Sequence, residues 1–307
     1  MYADHYGLSG LPFGEAADPA FYFGSETHRQ AMACLGDALA QGEGMAIVTG
    51  AGGTGKSMLI GHFLATIDRA ASLPVRLTAS NGKSILKDVL EAFGIKQDNP
   101  VESEALAAFE QLLESQAGRQ IVLAIDDAQL LSASALASLC QLSNLRADNG
   151  GSARLLLFGS PVLRQTLDAL GMKVMARHEL TPLRPEEVEP YIEHRLALVG
   201  CLGAPRFAGD AFAALYDRTK GVPRALNRLL DRLLMQGASE GRSILDSEAV
   251  ARAAEIEPTD DGSSLAARIA ALEARVAEQE VAVRRALGLL IEWVERGPKG
   301  LGDRPIL

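Results

Sequence analysis

Eight consecutive residues, Gly50-Ala51-Gly52-Gly53-Thr54-Gly55-Lys56-Ser57, restrict what this chain can fold into more than any other stretch. They spell G-x-x-x-x-G-K-S, the pattern of a phosphate-binding loop. The pattern has meaning only between a strand and a helix, and the flanks supply both. Met45-Ala46-Ile47-Val48-Thr49 reads as a short buried strand, and Ser57 to Leu64 spaces its apolar residues as a helix does. Gly50, Gly52, Gly53 and Gly55 let the main chain close around phosphate oxygens. The amides from Thr54 to Ser57 then meet the anion at a helix N-terminus. In this arrangement Lys56 bridges the β- and γ-phosphates and the Ser57 hydroxyl holds Mg²⁺. ATP and Mg²⁺ are the ligands expected.

Length and charge narrow the remaining choices. At 307 residues there is room for two compact domains and an appendage. A formal net charge of −9 argues against a broad DNA-binding surface. Cys34, Cys140 and Cys201 lie far apart and include no C-x-x-C pair, so they read as reduced thiols of a cytoplasmic protein. The five histidines form no close pair at metal-ligand spacing. The first residues lack the basic and apolar regions of a secretory signal. No run of about 18 apolar residues occurs, so no membrane span is expected.

Along the chain, strands alternate with helices up to Pro182. Strands are expected at Met45–Thr49, Pro74–Ala79, Ile121–Ile125, Arg154–Gly159 and Val174–Leu180. Helices are expected from Ser25 to Gln41, after the glycine loop, and near Ser84–Phe93, Glu102–Ser115 and Ala133–Arg146. This alternation predicts an α/β fold, a parallel sheet with helices on both faces. Past Pro182 the strands are expected to stop, leaving helices at Pro185–Val199, Gly209–Thr219, Pro223–Gln236 and Ser247–Ile256. Residues 258–264 form a short polar linker. From Leu265 to Trp293 apolar residues follow four-three spacing, with Arg268 and Glu273 at flanking positions. That pattern fits a coiled coil with a second helix, or a single helix folded back on its own domain.

A phosphate loop needs a carboxylate from a neighbouring strand. Asp126 ends the Ile121–Ile125 run, where ligands meet a parallel sheet, and is assigned to the Mg²⁺ shell. Asp127 follows it and is assigned to orienting the water that attacks the γ-phosphate. Ser160, after the Arg154–Gly159 strand, is a candidate γ-phosphate sensor, though Ser-Pro also starts helices. Arg224, in Gly221-Val222-Pro223-Arg224, opens a helix, a poor place for a cation unless an anion is near. It is a candidate for reaching across to the nucleotide.

Taken together, several motifs resemble the AAA+ ATPases of the general secretion pathway protein A type. They are Tyr6-Gly7-Leu8, Pro12-Phe13, Ser25 with His28, the Gly50–Ser57 loop, Ile125-Asp126-Asp127-Ala128-Gln129, His194-Arg195-Leu196 and Gly221-Val222-Pro223-Arg224-Ala225-Leu226-Asn227. The resemblance covers about residues 1–256. It implies a P-loop AAA+ core over residues 1–184 (with an N-terminal arm, 1–24) and a helical lid over 185–257. Residues 258–264 remain the linker, and 265–297 a coiled-coil or partner-binding helix. It also implies assembly as a dimer or ring, and a role beside type II secretion, pilus biogenesis or exopolysaccharide export at the inner membrane.

Three departures stand out. Asp127 occupies the place of the family's usual Glu. Met172-Lys173 aligns with the family's Gln-Arg, so Lys173, or Arg177 nearby, is the candidate for acting on a neighbouring subunit's nucleotide. The membrane span that often follows in secretion-type members is replaced by the short helical tail. Three functions follow from this reading: an ATPase that energises or regulates an export machine through its C-terminal helix, an ATP-gated scaffold with little hydrolysis, and a DNA-associated transposition-type ATPase.

Overall fold

The computed structural model describes residues 2–14, 18–41, 44–80, 84–96, 101–116 and 119–255. The heptad segment at 265–297 and the linker before it lie outside these residues.

In chain order the elements are α1 (Tyr2–Tyr6), α2 (Glu26–Ala40), β1 (Met45–Gly50), α3 (Lys56–Thr66), β2 (Ser72–Thr78), α4 (Ile85–Ala92), α5 (Glu102–Ser115), β3 (Gln120–Asp126), α6 (Ala133–Asn144), β4 (Ser152–Gly159), α7 (Pro161–Ala169) and β5 (Val174–Leu180). After these come α8 (Pro185–Leu198), β6 (Arg206–Phe207), α9 (Gly209–Thr219), α10 (Pro223–Ser239), β7 (Ile244–Leu245) and α11 (Ser247–Glu255). Serine caps open three of the helices. Ser25, Ser84 and Ser132 accept from the third following backbone N–H, at the starts of α2, α4 and α6.

The first five strands form one parallel sheet, ordered β2-β3-β4-β1-β5. Central strands β1, β3 and β4 are apolar almost throughout because helices cover both faces. Side chains of a strand alternate in direction. Met45, Ile47, Ile121, Leu123, Leu155 and Leu157 therefore pack with α4, α5, α6 and α7. Ala46, Val48, Val122, Ala124, Leu156 and Phe158 face the other way, onto α2 and α3. Glycine loop and Asp126 leave the same edge of this sheet, at the C-terminal ends of β1 and β3, where the fold opens a crevice.

A separate core gathers the later helices. Leu226, Leu230 and Leu233 of α10 pack with Val188 and Ile192 of α8, Leu215 of α9 and Val250 of α11. Tyr2, Tyr6, Leu8 and Phe13 of the N-terminal arm are buried in this same cluster. Phe21 and Phe23 pack against this helical cluster too, while Tyr22 between them packs against the core on the α2–α3 face of the sheet.

One expectation is corrected. Strands do not stop at Pro182, because β6 and β7 form a short parallel pair, Arg206 with Ile244 and Phe207 with Leu245. Two-residue strands are too short to leave a periodicity in sequence. Fully buried Leu245 anchors the pair to the helical core.

Candidate functional site

The local backbone shows why this loop needs its glycines. Gly53 has φ +82 and Gly55 φ +97, the half of conformational space that only glycine enters without strain. Space is lacking as well. A Cβ on Gly53 would lie 2.8 Å from the Arg224 Cβ, and one on Gly55 would lie 2.7 Å from His28 Nε2. A Cβ on Gly50 would meet the Leu180 carbonyl oxygen at 2.8 Å. Thr54, fully buried, donates its hydroxyl to the Ala51 carbonyl at 2.9 Å and closes the turn.

Helix α3 begins at Lys56 and no side chain caps it. Its first amides therefore open toward the crevice, as an anion site requires. Lys56 donates to the Gly50 and Ala51 carbonyls at 2.7 and 2.9 Å, holding a positive charge over the loop. Burial lowers the Lys56 pKa, while Asp126 and Asp127 pull it back up. Ser57 donates its hydroxyl to Asp126 Oδ2 at 2.7 Å. The two groups expected to share a divalent cation are in direct contact, although 69 positions separate them in sequence. A hydroxyl and a buried carboxylate are hard oxygen donors, so the set fits Mg²⁺.

Asp127 sits beside them at φ 52. Its carboxylate accepts from Gln129 Nε2 at 3.1 Å, and Gln129 Oε1 in turn accepts from the Ser160 backbone N–H at 2.9 Å. Ser160 is thereby linked to Asp127 through Gln129. It does not line the cavity, and the group it offers is its amide.

The cavity holds about 440 Å³ and runs from the loop to the helical region. Gly52, Gly53, Gly55, Lys56, Ser57, Asp126 and Asp127 line one end. Phe21, Phe23, Leu183, Tyr191 and Arg195 line the other, with Arg224, Asn227 and Arg228 between. The Arg224 backbone N–H donates to the Gly53 carbonyl at 3.2 Å, so α10 touches the glycine loop directly.

Arg195 is only 3% exposed. It donates to the Pro12 carbonyl at 2.6 Å and to the Tyr191 hydroxyl at 2.8 Å, and its guanidinium lies 4.9 Å from the centre of the Phe21 ring. Beneath the loop, burial holds the His28 imidazole down to a pKa of about 4, against opposing contributions from the Gly55 backbone and Glu187. His28 is therefore neutral at pH 7, with Nδ1 against the Ser25 hydroxyl at 2.7 Å.

Lys173 and Arg177 stand apart from this cavity. Lys173 is exposed, and Arg177 pairs with Asp168 of its own chain at 2.7 Å. Sequence reasoning missed Arg76, which pairs with Asp126 at 2.8 Å, and Gln129 as the link to Ser160. Arg76 left a signal: a lone charge within the otherwise uncharged run Leu73-Pro74-Val75-Arg76-Leu77.

Among the described residues, no helix is long and apolar enough to cross a membrane, and no histidine, cysteine and carboxylate cluster forms a further metal site.

Comparison with known proteins agrees with this geometry. Residues 39–167 match a family model described as an AAA domain. General secretion pathway protein A of Aeromonas hydrophila is 30% identical over 250 residues, covering 78% of this chain and 46% of that protein. The chain thus spans just under half the length of that relative. Among solved structures, Cdc6p of Pyrobaculum aerophilum superposes with a TM-score of 0.62 at 17% identity, over 86% of this chain and 73% of that one. ORC2 of Aeropyrum pernix, in its ADPNP-ADP complexes, gives 0.60 at 16% identity, over 84% and 74%. At these identities the likeness to the solved structures is one of fold. The chain carries an AAA domain on a P-loop nucleotide-binding fold, consistent with an AAA ATPase of the general secretion pathway protein A type.

Proposed function

We propose that this chain binds ATP with Mg²⁺ and hydrolyses it, and that the cycle energises or regulates assembly of a bacterial secretion or exopolysaccharide-export system. The observation that carries the nucleotide reading is the contact of Ser57 with Asp126 at the mouth of an uncapped, glycine-lined helix start. The secretion context rests on the name of the Aeromonas relative. The nucleotide reading is further supported by the fold neighbour ORC2, whose structure is that of ADPNP-ADP complexes.

Each group on the cavity wall then has a role. Amides of Gly52, Gly53, Thr54, Gly55, Lys56 and Ser57 bind phosphate oxygens, and Lys56 leaves the carbonyls of Gly50 and Ala51 to reach the β- and γ-phosphates. Bound Mg²⁺ would neutralise charge on those phosphates, and Ser57 and Asp126 are the residues that would hold it. Asp127, held by Gln129, orients water toward the γ-phosphate and takes up its proton. Phe21, Phe23 and Arg195 form the base end, where rings and a guanidinium can meet the face of a purine. Arg224 ties the lid to the loop and reads the state of the phosphates.

In this reading residues 1–184 form the nucleotide-binding domain and 185–257 the lid. After the linker at 258–264, the 265–297 segment grips the export partner or a second copy of the chain. Lys173 or Arg177 would then act across a subunit boundary. The protein would work in the cytoplasm, at the inner membrane.

Turnover of ATP by the full chain, with Lys56→Ala and Asp127→Asn as controls, tests the enzymatic claim. Hydrolysis that neither substitution reduces would overturn it. A second reading, an ATP-gated scaffold with little hydrolysis, is favoured by Asp127 itself. Its carboxylate is one methylene shorter than Glu and is tethered to Gln129. Asp127→Glu separates the two: a rise in turnover with unchanged ATP affinity supports the scaffold reading, and a fall supports Asp127 as a competent base.

A further inference from the structure

The metal end of the site contains a cation of the protein's own. Arg76 Nη2 lies 2.8 Å from Asp126 Oδ2, the same oxygen that accepts the Ser57 hydroxyl. The other oxygen, Oδ1, accepts the Asp127 backbone N–H at 3.0 Å. Strand register explains how the arginine gets there. Arg76 pairs with Ala124 and Thr78 with Asp126, so Arg76 and Asp126 rise from the same face of the sheet, one pleat apart.

Geometry sets up a competition. A divalent ion held by Ser57 and Asp126 would share the Asp126 carboxylate with a guanidinium, and two cations at one carboxylate repel. The partners differ in freedom to move. The Asp126 side chain is 5% exposed and stays held by Ser57 and the Asp127 N–H without Arg76, whereas the Arg76 side chain is 38% exposed and can swing into water. An arginine in this place also solves a problem of burial, since a carboxylate this enclosed is costly without a countercharge.

We propose that Arg76 is a resident counter-ion for Asp126, displaced when Mg²⁺ enters with nucleotide, and that it thereby sets the Mg²⁺ concentration at which the site fills. The inference rests on the nucleotide-binding reading above. Arg76 acts through Asp126, so it is a positioning residue whose signature is a change in metal dependence.

The test uses the full chain and a fluorescent ATP analogue, with binding followed as MgCl₂ is raised. Arg76→Met is expected to lower the half-saturating Mg²⁺ by about fivefold, the weight of a half-exposed ion pair. Arg76→Lys keeps a charge on Asp126 and is expected to stay within about twofold of the unaltered protein. If Arg76→Met does not fold, Arg76→Gln carries the same expectation with a polar side chain. An unchanged or raised Mg²⁺ requirement in the neutral variants would overturn the inference, as would an equal loss of binding at every Mg²⁺ concentration. Failure of the nucleotide reading looks different: the unaltered chain would bind no analogue, or Lys56→Ala would bind it equally well.

Discussion

Gly55→Ala probes the most tightly constrained point of the site. At φ +97 an alanine adopts a backbone conformation that costs about 1–3 kcal/mol. Its Cβ would also sit 2.7 Å from His28 Nε2. That ring is 5% exposed and held by Ser25, so it cannot move aside cheaply. Overpacking of this kind adds about 1–3 kcal/mol. The expected destabilisation is therefore about 2–6 kcal/mol, from urea unfolding at pH 7.5. His28→Ala relieves the clash but leaves the backbone strain. In a double-mutant cycle the pair should then show a coupling of about 1–3 kcal/mol, the double variant being less damaged than the sum. Gly55→Ala within about 0.5 kcal/mol of the unaltered protein, or strict additivity with His28→Ala, would refute the close packing of loop on imidazole.

Other consequences can be measured on the same protein. His28 has its folded pKa depressed to about 4 by burial, below the unfolded value of about 6.5, so its contribution is intact above pH 6.5. As pH falls from 6.5 to 4 the unfolded chain takes up the proton first, and up to about 3 kcal/mol of stability is lost. His28→Asn should flatten that part of a stability–pH curve measured by urea unfolding, and an unchanged slope would contradict the assignment. Phe21→Ala should weaken ATP binding by about 1–2 kcal/mol and tripolyphosphate binding hardly at all, by calorimetry. Equal loss for both ligands would remove Phe21 from the base end. Arg224→Ala should lower turnover more than ATP affinity in steady-state kinetics, because it removes a cation from the cavity wall that is proposed to couple the phosphates to α10, while the backbone bond to Gly53 survives. A change in affinity alone would argue against that coupling.

The alternation of strands and helices was legible because each period has a physical cause. Ile121–Ile125 is covered on both faces and reads as continuous apolar sequence, and Ser25 marks the start of α2 by its own hydrogen bond. The glycine loop announced itself because only glycine tolerates φ +82 and φ +97 at such close range. The long-range partners were harder to see. Nothing local in Val75-Arg76-Leu77 says that β2 lies beside β3, so the Arg76–Asp126 pair emerges only from register. Ser160 was legible as a position at a strand end, but its link to Asp127 was not, because that link runs through its backbone N–H and Gln129. The pair β6–β7 was too short for any period, and the burial of Tyr2 and Tyr6 among the later helices depends on contacts more than 200 residues away in sequence.

The central claim is that Gly50–Ser57 and Asp126 together grip a magnesium-bound triphosphate. A crystal structure of the full chain with Mg²⁺ and a non-hydrolysable ATP analogue tests it most directly. Triphosphate density is predicted against the amides of Gly53 to Ser57, with Lys56 Nζ moved from the Gly50 and Ala51 carbonyls onto phosphate oxygens. A nucleotide seated elsewhere, or Lys56 still folded over the loop with the analogue present at saturation, would contradict the account.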